Sequence, residues 1–140
     1  MQVYLAILVL CILHVKQSTG EIPTYIIEKW DSIMAPHKKE CSEHSGIAPE
    51  DINNILRGPS IPDTKQFRNY ITCIYRELGM ISNDGHFQEM VIMKKADYLT
   101  YNLVKRCVGK ANPEKELESK SFKLCECVVK GLEHPKFYKD

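Results

Sequence analysis

Polar residues near the carboxyl end recur at Ser119, Lys123, Glu126, Lys130 and Glu133, in alternating steps of four and three. That repeat is one water-facing stripe on a helix. The positions between them lean apolar: Leu117, Phe122, Leu124, Cys125, Cys127, Val128, Val129 and Leu132. A helix that is apolar over most of its circumference is covered by neighbours on several sides. The spacing therefore predicts a central helix over 114–132, with Pro113 suited to its first turn and Gly131 to its end. Cys125 and Cys127 point about 200° apart at about 100° per residue. They cannot serve the same neighbour, so one is expected to be a staple while the other faces something else.

Upstream, Ile26, Trp30, Ile33, Met34, His37 and Cys41 follow a helical period after Pro23. Pro36 is expected to kink or break this first helix, and Gly46 to end it. A short helix is expected over 49–56, with Ile52, Ile55 and Leu56 inward, and then a rigid connector through Gly58-Pro59 and Ile61-Pro62. Asp63 is the expected cap of a third helix over 64–78, whose inward face is Phe67, Tyr70, Ile71, Ile74 and Leu78. Ser82-Asn83-Asp84-Gly85 is a strong turn signal. Helices are expected over 86–95 and 97–108, with Gly109 and Asn112-Pro113 before the central helix. No stretch alternates as a half-buried strand would, and no internal repeat is visible. The fold class expected is all-α, six short helices.

The chain opens with the apolar run VYLAILVLCIL, of signal-peptide length and too short to cross a bilayer as a helix. Ser18 and Gly20 supply the small residues for cleavage after Gly20. The organisation expected is a signal peptide over 1–20 and one domain over 21–140, secreted and without a membrane anchor. The whole chain carries 19 basic and 18 acidic residues, and losing Lys16 leaves 18 of each. A balanced charge with no basic block gives no reason to expect a nucleic-acid partner or an anionic membrane surface. About 120 residues make one domain with a thin core, in the size range where disulfides matter. Five cysteines then remain, Cys41, Cys73, Cys107, Cys125 and Cys127, enough for two bridges and one left over. Counting alone does not choose the pairs.

The signal peptide, the helical pattern and the cysteine spacing together resemble the insect odorant- and pheromone-binding proteins, across the whole mature chain. That family has six helices and six cysteines, bridged first to third, second to fifth and fourth to sixth. Cys41 resembles the first cysteine, Cys73 the third, Cys107 the fourth and Cys127 the sixth. Counting the family's spacing back from Cys73 and from Cys127 reaches Asn69 and Glu118, where the second and fifth should stand. Both members of one bridge are replaced while the other two pairs survive, as in the family's minus-C subgroup. Pairing of Cys107 with Cys125 is the alternative, and would move the missing position to Glu116. Ser121 and Phe122, in places the family often fills with a small and an aromatic residue, favour Cys127. Asn69 donating to the Glu118 carboxylate is the replacement expected for the lost tie.

The resemblance implies a carrier of small hydrophobic molecules, with an odorant receptor or a second copy as further possible partners. Met80, Phe87, Met90, Tyr101, Leu103, Val104, Phe122 and Val128 are core by default. The resemblance makes them candidate cavity walls, with Cys125 either a wall or a small buried hydrophobe. Phe137 and Tyr138 in the tail are candidates to close the cavity, and Tyr70, Tyr98, Thr100 and Tyr101 supply hydroxyls. No nucleophile–base pairing, H-E-x-x-H or glycine-rich phosphate loop stands in the sequence, so neither an enzyme nor a cofactor is expected. His37, Cys41 and His44 share one helical face, yet a bridged Cys41 offers no thiolate to a metal. A secreted helical interaction protein with a filled core is the rival reading.

Overall fold

The computed structural model describes residues 20–58 and 60–139. The expected signal peptide lies, up to residue 19, outside the described residues. Among the described residues six α-helices follow one another: α1 Thr24–Ser45, α2 Pro49–Asn53, α3 Lys65–Glu77, α4 Glu89–Lys95, α5 Tyr101–Ala111 and α6 Leu117–Leu132. A 3₁₀ turn, Pro135–Phe137, completes the chain. Among the described residues β structure amounts to two isolated bridges, Ile81 with Phe87 and Leu99 with Tyr138.

The helix starts show which local chemistry wins. Thr64, not Asp63, caps α3, its hydroxyl accepting from the Phe67 N–H at 3.1 Å. Asp63 instead accepts from Arg68 Nε at 2.7 Å, and that guanidinium holds its carboxyl below the ordinary range. Thr100 caps α5 through the Leu103 N–H at 3.3 Å. The cap moves the start of α5 past Asp97, leaving a turn closed by the Leu99 N–H on the Ala96 carbonyl at 3.0 Å and an extended Thr100. Likewise α4 begins at Glu89, because the turn around Gly85 (φ 82°) pairs Ile81 with Phe87 before a helix can start. Helix α1 runs unbroken through Pro36. Pro36 and Ser32 both face water, so the Ser32 carbonyl that loses its partner there is solvated.

Helix α6 is the centre of the packing, against α3 on one side and α5 on the other, while α1 packs on α3. Two disulfides staple these layers, Cys41–Cys73 between α1 and α3 and Cys107–Cys127 between α5 and α6. They span 32 and 20 residues, worth about 3–4 kcal/mol each in the chain-entropy model. Between α3 and α6 the rings of Phe67 and Phe122 meet edge to face at 6.2 Å. Gly131 lies near the end of α6 as expected, one residue before its last, and a β-carbon there would stand 2.4 Å from Leu103 Cδ1. The α5–α6 approach thus depends on the missing side chain. Replacing Gly131→Ala is expected to cost about 1–3 kcal/mol in urea unfolding, as overpacking does. An unchanged midpoint would show that the Leu103 side chain yields freely.

Candidate ligand-binding site

Between α1, α3, α4 and α6 the hydrophobic core leaves an apolar cavity with about 40 Å³ of open space. Helix α6 supplies Leu124, Cys125, Val128, Val129 and Leu132, a stripe with the i, i+4, i+8 repeat. Trp30 comes from α1, Tyr75 from α3 and Ile92 from α4. The connectors give Ile55, Leu56, Met80, Ala96, Tyr98 and Leu99. The wall is hydrocarbon except for the Trp30 indole, the Tyr75 and Tyr98 hydroxyls and the Cys125 thiol.

Of the candidate walls named from sequence, Met80, Cys125 and Val128 line this cavity, and of the candidate hydroxyls Tyr98 does. Leu103 and Val104 are buried on the other side of α6, and Phe122 is engaged by Phe67. Phe87 is half-buried beside the turn. Met90 is 79% and Tyr101 49% exposed, on outer helix surfaces. Tyr70 is fully buried, its hydroxyl donating to Met34 Sδ at 3.9 Å. Trp30 and Tyr75 also line the cavity with no sequence signal that marks them as walls, whereas Leu124, Val129 and Leu132 are marked by the α6 repeat itself.

The tail is strapped alongside. The Thr100 N–H donates to the Phe137 carbonyl at 3.0 Å and the Lys139 N–H to the Tyr98 carbonyl at 2.7 Å. Tyr25 in α1 donates its hydroxyl to the Lys139 carbonyl at 2.6 Å. These bonds hold Tyr98 and Leu99 against the cavity from outside. Phe137 sits in a separate cleft, with the Arg106 guanidinium 5.5 Å and Lys136 Nζ 4.9 Å from its ring centroid.

At the place of the family's third bridge, Asn69 and Glu118 line the same two polar clefts, without a hydrogen bond between them. The tie is made one residue away on each helix. Arg68 Nη1 donates to Ser119 Oγ at 2.8 Å, and its guanidinium lies 4.9 Å from the centroid of Phe122. A guanidinium reaches further than an amide and stacks on a ring, so Arg68 takes the role expected of Asn69. His44 borders one of these clefts, and Cys41 is bridged to Cys73.

A model of the PBP/GOBP family, the pheromone- and general-odorant-binding proteins, matches residues 27–131, three quarters of the chain. The chain belongs to that family, one of small-ligand carriers rather than enzymes. No curated protein matches it significantly. No helix among the described residues is long and apolar enough to cross a membrane.

Burial keeps the cavity's ionisable groups neutral. It pushes the Cys125 thiol up to about 12, a shift that the neighbouring Tyr75 hydroxyl partly offsets. Tyr75 is raised well above its ordinary value by burial and then by Cys125, and Tyr98 is raised by burial first. Above about pH 9 the unfolded chain releases protons that the folded chain retains. Stability is therefore expected to hold up to about pH 9 from these groups and to fall as pH rises beyond it, seen as a declining melting temperature. A thiol reagent should leave the native protein untouched and label one cysteine after unfolding; rapid native labelling would place Cys125 outside the core. Replacing Asn69→Cys together with Glu118→Cys should form a third bridge worth about 4 kcal/mol and raise the melting temperature. Three free thiols in that variant, the two new ones beside Cys125, would overturn the alignment.

Proposed function

We propose that this protein is a secreted carrier that takes up one small hydrophobic molecule in the cavity beside α6. The supporting observation is the cavity itself, a wall of fourteen residues without a formal charge, in a chain of a ligand-carrying family. Secretion is supported by the opening apolar run and by two disulfides, which persist in oxidising compartments.

At about 40 Å³ the cavity has open space for about one water molecule. A benzene-sized guest needs about 150 Å³, so uptake requires the wall to move back. Ile55, Leu56 and Val129 separate the cavity from a cleft of about 360 Å³, which also includes Ile22, Ile61 and Glu133. Leu56 and Val129 are only half-buried, and swinging them aside joins the two spaces into a pocket of ordinary ligand size. Met80 opposite adapts its unbranched side chain. A guest burying about 300 Å² of apolar surface gains about 7–8 kcal/mol before ordering costs, which makes its dissociation constant micromolar at best.

Titration with a fluorescent apolar probe, N-phenyl-1-naphthylamine, tests this reading. One probe per chain is expected, with affinity lost in a Val128→Trp variant that retains its helical circular dichroism. The smallness of the cavity favours a second reading, a secreted helical interaction protein with a filled core. Absence of probe binding by the unmodified protein would establish that reading and exclude the carrier.

A further inference from the structure

The Trp30 indole N–H is the one buried side-chain nitrogen or oxygen among the described residues without a hydrogen-bond partner. Trp30 is 93% buried, on the cavity wall, its ring edge to face with Tyr75 at 6.5 Å. An indole nitrogen donates only and cannot accept. No carboxylate, side-chain amide, histidine or cationic side chain lines the cavity. The remaining polar groups are two phenol hydroxyls and a thiol, and none of them reaches the indole nitrogen. Leaving a buried donor unmatched is unfavourable, and structures rarely do so without reason.

Resting on the carrier reading above, we propose that the cavity is built for an apolar molecule bearing one uncharged hydrogen-bond acceptor, a ketone, ester or ether oxygen, which accepts from the Trp30 N–H. The chemistry of the wall discriminates in three ways. A pure hydrocarbon fills the space and leaves the donor unmatched. A carboxylate or an ammonium ion placed beside Trp30 meets a wall without counter-charge and loses its hydration for nothing in return, since Arg57, Lys130 and the carboxylates line the cleft beyond Leu56 and Val129. A carbonyl or ether oxygen gives up little hydration and supplies the acceptor the wall lacks. The aliphatic remainder of such a guest is matched by Leu124, Val128, Met80 and Ile92.

Trp30 is the only tryptophan in the sequence, so its indole N–H gives a single side-chain signal in a ¹⁵N–¹H spectrum of the unmodified protein. Displacement of N-phenyl-1-naphthylamine by 2-nonanone and by nonane measures the preference. We expect the ketone to bind about tenfold more tightly, equivalent to about 1.4 kcal/mol. It should also move the indole proton downfield, which nonane should not do. In Trp30→Phe the ratio of ketone to nonane affinity should fall to about one, whatever the smaller ring does to both. Equal affinities for the two guests, or an indole signal that ignores the ketone, would overturn the assignment while leaving the carrier reading standing. Failure of both guests to displace a probe that does bind would also overturn it. The spectral measurement requires no variant, so a Trp30→Phe chain that does not fold leaves the test intact.

Discussion

Everything in this fold depends on burying α6 from two sides at once. Its successive cysteines divide the two sides between them: Cys127 turns outward to be tied to Cys107 on α5, and Cys125 turns inward to the cavity. The close approach at Gly131 and Leu103 completes the α5 side, and Phe122 against Phe67 anchors the α3 side. A helix fixed along two edges exposes a third face to the interior, and the cavity-lining stripe from Leu124 to Leu132 is that face. Its position follows from the staple and the packing, not from any residue dedicated to a ligand.

The same scaffold is tied unevenly. Covalent bridges join α1 to α3 and α5 to α6, whereas the α3–α6 contact relies on an aromatic pair and on Arg68 reaching Ser119 over the face of Phe122. Such a contact can shift by an ångström without breaking a bond, as a disulfide cannot. The cavity lies between these helices and is small, with Leu56 and Val129 between it and a larger cleft. Firm outer staples with a deformable inner seam are what a container needs if it is to be small when empty and larger when filled. The tail, pinned to Tyr98 and Thr100 by main-chain hydrogen bonds, supports the opposite wall.

Much of this was legible in the residues. The period of α6, the turn at residues 82–85 and the inward face of α3 all follow from apolar spacing, and the two bridges from the resemblance in cysteine spacing. Helix starts were read less well, because Asp63 and Thr64 are both good caps and only the competing pull of Arg68 decides between them. The walls of the cavity were read least well. Met90 and Phe122 are as apolar as Leu124 and Val129, and which side of a helix meets empty space rather than another side chain is a property of the assembled core. Trp30 stood out in the sequence as a core position, yet the missing partner of its N–H exists only once every neighbour is in place.

Native mass spectrometry of the secreted, oxidised protein, incubated with a medium-chain apolar molecule and sprayed from neutral solution, tests the central claim most directly. The account predicts a chain four hydrogens lighter than its reduced mass, carrying a single guest whose loss requires collisional activation. A chain with that same mass deficit that stays bare at every guest concentration would contradict it, for the interior would then be a filled core and not a container.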